Sequence, residues 1–182
     1  MSWLLVPDSL FLPHILRMES NLILDHDRIR RIVERLAHQI MEEVHTESEV
    51  VLAGVYPNGS ELASRLKTHM EARIATRVLL AEIRLNKENP LSQSVDVETH
   101  GANLKGKTVI LADDVMNSGK TTAFAIARLL ETGAKKIKTV VLVERNHKDF
   151  PIKADYVGYS LSTNLRDHVT VEFGVEDRAV LG

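Results

Sequence analysis

Residues 107–133 constrain the fold of this chain more than any other stretch. An apolar run at 109–112 is followed directly by two carboxylates, Asp113 and Asp114, and then by a small polar turn at 117–121. The run contains β-branched residues and no polar alternation, which is typical of a strand buried on both faces. The pattern predicts a buried strand that ends in two acids and leads into a loop.

A helix is predicted to follow this turn. Apolar residues recur there at the spacing of one helix face: Ala123, Ile126, Ala127 and Leu130. Gly133 stands where a C-terminal cap belongs, because glycine adopts the left-handed conformation at little cost. The whole stretch therefore predicts the order strand, loop, helix.

The turn has the composition of an anion-binding loop. Gly119 lets the backbone approach a ligand closely, and Ser118, Thr121 and Thr122 supply hydroxyl donors. Backbone N–H groups converge at the start of a helix, where the helix dipole also favours negative charge. We therefore expect a ligand that carries a phosphate.

A nucleotide-binding P-loop is the obvious alternative, because 119–121 matches the end of that motif. The motif requires a glycine five residues before Gly119, and Asp114 occupies that position. Two acids beside one phosphate site fit the vicinal hydroxyls of a sugar phosphate better than a polyphosphate. The remaining alternative is an ordinary strand–turn–helix unit whose acids are solvated at the strand end.

Composition limits the class of protein. A length of 182 residues predicts one domain with a sizeable core, and 44% hydrophobic with 26% charged residues is the balance of a globular protein in water. The net charge of −2 gives no overall basic field for nucleic acid. The absence of cysteine excludes disulfides, thiolate metal sites and a cysteine nucleophile. No apolar run approaches the ~18 residues of a membrane span, so we expect no membrane partner. The absence of cysteine fits a reducing cytosol, and we predict a cytoplasmic location.

The first 20 residues are treated as an N-terminal arm, separate from a domain at 21–182. They are apolar but interrupted by Pro7, Asp8 and Pro13, and they lack the positive start and unbroken apolar core of a secretory signal. Two interpretations stay open. The segment is an ordered arm or loose tail, or natural translation starts at Met18.

A long amphipathic helix is predicted from an N-cap at Asp25 to about residue 45. Its apolar positions keep the 3.6-residue period: Ile29, Ile32, Val33, Leu36, Ala37, Ile40 and Val44. Four arginines cluster on and beside its other face: Arg28, Arg30, Arg31 and Arg35. They fit either a solvated face with pairs such as Arg30–Glu34 or a contact with a phosphate backbone.

The rest of the chain continues the alternation of strands and helices. A strand is predicted at 49–55, a turn at 56–60 and a helix through Leu62, Ala63, Leu66 and Met70. Further strands are predicted at 74–83, 136–143, 154–160 and 168–173, and the polar residues 84–106 form a long loop. This order predicts an α/β fold with a mostly parallel sheet flanked by helices, and a ligand site at the carboxyl ends of the strands.

The residues VILADDVMNSGKT resemble the phosphoribosyl pyrophosphate (PRPP) motif of type I phosphoribosyltransferases in both order and spacing. Residues 30–40 and 143–158 are similar to the corresponding segments of one branch, the bifunctional pyrimidine-operon attenuator/uracil phosphoribosyltransferase (PyrR) family. The resemblance implies a type I phosphoribosyltransferase fold, with a mostly parallel central sheet, a small hood and a mobile loop.

The resemblance also implies roles for individual residues. Asp113 and Asp114 would hold the ribose hydroxyls of PRPP, partly through water bound to Mg²⁺, and Arg84 or Lys87 would cover the leaving group. Three further groups follow. The 5-phosphate site is Met116, Asn117, Ser118, Gly119, Lys120 and Thr121; the pyrophosphate site is Tyr56, Pro57, Asn58 and Gly59; and the base site is Val143, Arg145 and His147.

Three positions depart from the family pattern. Asn58 stands where the family has the arginine of Thr-Arg-Gly, Lys87 lies in the segment that replaces Leu-Tyr-Arg-Asp-Asp, and Asn146 replaces a glycine.

The favoured function is transfer of a phosphoribosyl group to a nucleobase, with uracil as acceptor. The alternatives are an RNA-binding regulator and a PRPP-binding relative with little catalysis. The resemblance also implies a homodimer or larger assembly.

Overall fold

The structure is a computed structural model, and it is described here for residues 21–162 and 167–182. The predicted N-terminal arm lies outside these residues. The helices are α1 (His26–Val44), α2 (Asn58–Glu71) and α3 (Lys120–Glu131). The strands are β1 (Leu22–Leu24), β2 (Glu49–Val55), β3 (Arg77–Arg84), β4 (Asp96–Glu98), β5 (Thr108–Met116), β6 (Lys136–Arg145), β7 (Tyr156–Leu161), β8 (Val169–Glu172) and β9 (Arg178–Leu181).

A six-stranded sheet forms the centre of the molecule, in the order β4-β3-β2-β5-β6-β7. Every neighbouring pair is parallel except β3 and the short edge strand β4. The predicted α/β architecture with a mostly parallel sheet is therefore confirmed. The carboxyl ends of β2, β3, β5 and β6 lie along one edge, where the candidate site residues follow them.

Two apolar layers cover the sheet because successive residues of a strand point to opposite faces. Leu52 and Ile110 pack with the apolar faces of α1 and α2. Val51 and Leu111 pack on the other side with Ala125 of α3. Both faces of β2 and β5 are thus buried, which explains why these strands contain few polar residues before the acids.

Helix α1 forms as its sequence predicts. The Asp25 carboxylate accepts a hydrogen bond of 2.8 Å from the Arg28 N–H, which is the N-cap contact. Two of the clustered arginines are used inside the molecule. Arg28 donates to the Ile23 carbonyl at 3.1 Å, and Arg35 donates to the Gly158 carbonyl at 2.6 Å.

The predicted apolar face of α3 is wrong, although the helix and its glycine cap are confirmed. The buried residues are Thr122, Ala125 and Leu129, while Leu130 is 62% exposed. The helix carries apolar residues on more than one side, so periodicity alone does not select the face that meets the sheet. Gly133 has the expected left-handed conformation, with φ of 75°.

Several strand boundaries differ from the predictions. The strand predicted at 109–112 is too short, because β5 continues through both acids to Met116. The predicted turn at 56–60 is also too long, since α2 already begins at Asn58. Strands β1, β4 and β9 were not predicted from the sequence, and β4 lies inside the predicted loop at 84–106. Among the described residues, none of the helices combines the length and apolar character that a membrane crossing requires.

Strands β1, β9 and β8 form a separate antiparallel sheet, the hood, which is tied to α2 through Asp177. The buried Asp177 carboxylate accepts a two-pronged ion pair from Arg65 and a 3.0 Å hydrogen bond from the Gly174 N–H. The Arg65 guanidinium also stacks on the Phe173 ring, 4.5 Å from its centroid. Burial alone would raise the pKa of Asp177, but these donors outweigh it and lower the pKa.

We expect Asp177→Asn to lower the free energy of unfolding by about 3 kcal/mol, because it leaves the buried side of Arg65 without its charge partner. The carboxylate stabilises the fold above the ordinary aspartate pKa of about 4, and this contribution is lost as the pH falls through the lower folded-state pKa. The difference between the two proteins should therefore shrink below about pH 4. Urea unfolding at several pH values measures it. Glu61→Gln is the matched control, because Glu61 pairs with the same Arg65 at an exposed position and should cost less than about 1 kcal/mol.

Candidate active site

The two acids lie in the last part of β5 and are shielded from solvent. The residues Asp113 and Asp114 are 4% and 8% exposed, so the alternative of solvated acids at a strand end is excluded. The Asp113 Oδ1 accepts a hydrogen bond of 3.0 Å from the Asp114 N–H. The Lys87 Nζ, from the loop after β3, lies 3.0 Å from Asp113 Oδ1 and 3.3 Å from Asp114 Oδ1.

The electrostatics of this group separate the two acids. Burial raises the pKa of Asp113 to about 7, against the opposing charge of Lys87. Burial also disfavours charge on Asp114, but the Lys87 ammonium and a hydrogen bond from Asn58 help to outweigh it and lower the pKa of Asp114. The two carboxylates in turn raise the pKa of Lys87 despite its own desolvation. Asp114 is therefore the more acidic member, and Lys87 stays positively charged.

The predicted pyrophosphate segment adjoins these acids. The Asn58 Nδ2 donates to Asp114 Oδ2 at 2.8 Å and to the Val171 carbonyl of the hood at 3.0 Å. Gly59 packs against β5 so closely that a Cβ there would lie 2.4 Å from the Ala112 carbonyl oxygen. Tyr56 is exposed and stacks against the Arg84 guanidinium, 4.3 Å from its ring centroid. The amide of Asn58 thus joins the start of α2 to both the acids and the hood.

The predicted phosphate loop connects β5 to α3. Gly119 has φ of 84° and directly precedes the helix, which begins at Lys120. Ser118 is held from both sides: its hydroxyl accepts from the Lys120 N–H at 3.3 Å, and its carbonyl accepts from the Asp149 and Phe150 N–H groups at 3.1 Å. These contacts fix the loop at the N-terminus of α3, where a phosphate would meet backbone donors.

Two apolar residues predicted for the ligand sites have buried side chains. Met116 is 1% exposed and packs with Val141 and Ala154. Val143 is completely buried within β6. Their side chains belong to the core, so any ligand contact by these two residues would involve their backbone atoms.

Arg145 of the predicted base site contacts the predicted phosphate loop. It is 2% exposed, and its Nη1 donates to the Asn117 Oδ1 at 2.9 Å. His147 is partly buried in the same segment, and the neighbouring Glu144 pairs with Lys148 at 3.1 Å. The structure thus brings the predicted base segment into direct contact with the phosphate loop.

Comparison with known proteins agrees with this geometry. The phosphoribosyl transferase domain matches residues 20–178. The Bifunctional protein PyrR of Haemophilus ducreyi is 35% identical over 162 residues, which cover 84% of this chain and 89% of the relative. That of Bacillus pumilus is 31% identical over 172 residues, with 88% and 94% covered. The chain belongs to the PyrR family of phosphoribosyltransferases.

Solved structures support the type I phosphoribosyltransferase fold of this PyrR-family chain. A hypoxanthine phosphoribosyltransferase of Trypanosoma cruzi superimposes with a TM-score of 0.69 at 17% identity, covering 82% of this chain and 84% of that one. A hypoxanthine-guanine phosphoribosyltransferase of Bacillus anthracis gives 0.65 at 23% identity, covering 78% and 82%. At these identities the likeness establishes the fold alone.

The acids of this PyrR-family site suit a magnesium ion that is bound together with substrate. Asp113 and Asp114 offer only oxygen ligands, which Mg²⁺ prefers, and the ion commonly uses one or two carboxylates plus phosphate oxygens and water. Among the described residues, no group of three or more His, Asp or Glu side chains is arranged to hold a metal by itself. The donor set fits the predicted mode, in which substrate and water complete the coordination.

Sequence reasoning missed two supports of the site. Glu82 accepts from the Ser60 hydroxyl at 3.0 Å and pairs with Arg84 at 2.5 Å, which links the first turn of α2, directly after the pyrophosphate segment, to the end of β3. The N–H groups of Asp149 and Phe150 hold the phosphate loop. The position of Glu82, two residues before Arg84, gave a weak indication of its ion pair. The backbone contacts of Asp149 and Phe150 could not be predicted, because they do not depend on the type of side chain.

We expect Arg145→Met and Asn117→Ala each to weaken PRPP binding about tenfold, because each removes the hydrogen bond that orients the phosphate loop. The double variant should lose little more than either single one, since contacting residues are coupled. Calorimetric titration of the four proteins measures the coupling. Fully additive losses would show that Arg145 acts elsewhere, for instance directly on the base.

Proposed function

We propose that this phosphoribosyltransferase transfers the phosphoribosyl group of PRPP to a nucleobase, with uracil as the favoured acceptor. The main support is the pair of buried acids at the end of β5, which directly precede the loop at the N-terminus of α3 that turns at Gly119. The acids fit vicinal hydroxyls, and the loop fits a single phosphate. Asn58 places the predicted pyrophosphate segment beside the same acids. The choice of uracil comes from the resemblance to the PyrR family.

In the proposed reaction a ring nitrogen of the base forms a bond to the anomeric carbon while the bond to pyrophosphate breaks, and the proton of that nitrogen passes to water or to the departing pyrophosphate. Positive charge develops on the ribose ring, and negative charge develops on the departing pyrophosphate. Asp113 and Asp114 orient the hydroxyls and supply negative potential close to the ring, while the loop at 117–121 holds the 5-phosphate. Positioning and fixed electrostatics of this kind account for most catalysis of such transfers.

Mg²⁺ is proposed as the cofactor, held by Asp113 and Asp114 through water and by substrate oxygens. When bound, it would neutralise charge on the pyrophosphate. A protein side chain is also proposed to act on the leaving group. Arg84 lies beside Tyr56 of the pyrophosphate segment, and we propose that it faces the leaving group when substrate is bound.

The test is release of pyrophosphate from PRPP with magnesium, measured across uracil and the purine bases. Release that depends on uracil supports the proposal, and release that depends on another base keeps the reaction but replaces the acceptor. No release with any base, while PRPP still binds in calorimetry, would contradict catalysis and favour a PRPP-binding relative.

RNA binding is a second proposal, supported by two exposed arginines of α1. Arg30 is 60% exposed, with Asp27 3.8 Å away as its ion-pair partner, and Arg31 is also exposed. The relatives carry the name Bifunctional protein PyrR. Arg30→Gln with Arg31→Gln should weaken RNA binding and reduce its dependence on salt. Unchanged binding by this variant would locate any RNA contact elsewhere.

Self-association stays a proposal based on the resemblance, and a cytoplasmic location stays a proposal based on the absence of cysteine. Light scattering after size-exclusion chromatography tests the first. A mass equal to one chain at micromolar concentration would contradict the homodimer.

A further inference from the structure

The Lys87 ammonium covers the acid pair that the ribose hydroxyls are proposed to use. Its Nζ lies 3.0 Å from Asp113 Oδ1 and 3.3 Å from Asp114 Oδ1. The two carboxylate side chains are 6% and 11% exposed, whereas the lysine side chain is 37% exposed. The lysine therefore stands between the acids and solvent.

The loop places Lys87 in this position through its own hydrogen bonds. The Asn86 Oδ1 accepts from the N–H groups of Glu88 and Asn89, both at 3.0 Å. The Ser92 hydroxyl and N–H both donate to the Asn89 carbonyl, at 2.6 and 3.0 Å. These turns do not involve the Lys87 side chain, so a substitution there should leave the loop backbone intact.

The lysine and a vicinal diol need the same acceptors. An ammonium group has three N–H donors and no acceptor, while ionised carboxylates only accept. The Asp113 Oδ1 already accepts from the Asp114 N–H and from Lys87, which uses both of its lone pairs, so a hydroxyl donor that binds this atom must displace Lys87. A ligand that provides another partner for the displaced ammonium should bind more tightly than a ligand that leaves the ammonium unpaired.

A pyrophosphate group would provide that partner. Asn58 begins α2 in the predicted pyrophosphate segment, and its Nδ2 lies 2.8 Å from Asp114 Oδ2, while Lys87 contacts Oδ1 of the same carboxylate. The ammonium and the pyrophosphate segment thus meet at one side chain. A ribose phosphate without pyrophosphate displaces Lys87 and offers no anion in return at that end of the sugar.

We propose that Lys87 is a specificity-determining residue, which favours PRPP over ribose phosphates that lack the pyrophosphate. The inference rests on the proposed function, because it takes the acids as the hydroxyl site. The nucleotide product also lacks pyrophosphate, so the return of Lys87 to the acids would favour product release.

The test compares the affinities of PRPP and ribose 5-phosphate, measured by calorimetry on the full chain in EDTA and without base. In Lys87→Met, ribose 5-phosphate should bind about tenfold tighter. This is the change expected if Lys87 occupies the acids in about nine-tenths of the native molecules, because the apparent affinity is reduced by the fraction of open sites. PRPP should bind equally well or more weakly, because its contact with Lys87 is lost. The preference for PRPP should thus fall at least about tenfold.

Two further variants control for charge. Lys87→Arg keeps a cation at the acids and should keep the native preference. Lys153→Met removes one positive charge at an exposed position, and it should leave both affinities unchanged. Thermal unfolding verifies that each variant is folded.

A native preference in Lys87→Met, or no detectable binding of ribose 5-phosphate by that variant, would overturn the inference. Turnover of PRPP by the native protein would leave the proposed function standing in either case. Failure of the native protein to bind PRPP, with or without magnesium, would overturn both.

Discussion

Replacing Asp113 and Asp114 together by asparagine should lower kcat/KM for PRPP about a thousandfold. The change keeps the shape of both side chains but removes the negative potential beside the ribose ring and half of the acceptor oxygens. Losses of about 10² to 10³ are typical when one group that stabilises transition-state charge is removed. Initial rates of pyrophosphate release, with calorimetry for PRPP binding, measure the effect.

The fold of this double variant should survive, because the asparagines remove two buried charges. The Lys87 side chain, which loses both partners, is 37% exposed and can turn toward solvent. Asp27→Asn is the control, because it changes one exposed acid at the start of α1 and should leave turnover unchanged. Turnover within about tenfold of the native rate in a folded double variant would show that the hydroxyl site lies elsewhere.

The central sheet could be predicted because its strands carry their signal locally. Strand β2 matches its predicted bounds, and α1 begins after the predicted N-cap at Asp25. Burial on both sheet faces and the capping carboxylate each depend on residues within one short window. The position of the ligand site at one edge of the sheet could be predicted from the same strands, because parallel strands bring their carboxyl ends together.

The hood could not be predicted in the same way. Strand β1 spans three residues and pairs with β9, more than a hundred residues later in the chain. A three-residue strand has no measurable periodicity, so its partner must be known before it can be recognised. The exposed Leu130 has a related cause, since the orientation of α3 is set by contacts with the sheet rather than by the helix alone.

Within the candidate site, the sequence indicated residue types but not their contacts. The acids, the loop at 117–121 and Asn58 were all singled out, yet the hydrogen bond from Asn58 to Asp114 joins residues 56 positions apart. The position of Lys87 over the leaving group stays a prediction, and its contact with the two acids was not expected from the sequence. Loop conformation decides this placement, and a polar segment without periodicity gives little information about it.

Gly59→Ala should lower the free energy of unfolding by about 3 kcal/mol and weaken PRPP binding more than tenfold. The added Cβ would lie 2.4 Å from the Ala112 carbonyl oxygen and 3.1 Å from the Asp113 Cα. Both are backbone atoms of a central strand and cannot rotate away, so the start of α2 must move. Because Asn58 precedes Gly59 directly, that movement would also disturb its hydrogen bond to Asp114.

This substitution separates two reasons for a glycine at position 59. If glycine served only to let the pyrophosphate approach the backbone, Gly59→Ala would bind PRPP weakly and unfold at the native urea concentration. Close packing of α2 on β5 predicts losses in both measurements. Gly174→Ala is the control, because a Cβ there meets no atom within 4 Å and should change neither. Native stability in Gly59→Ala would therefore reject the packing explanation and leave ligand approach as the reason for this glycine.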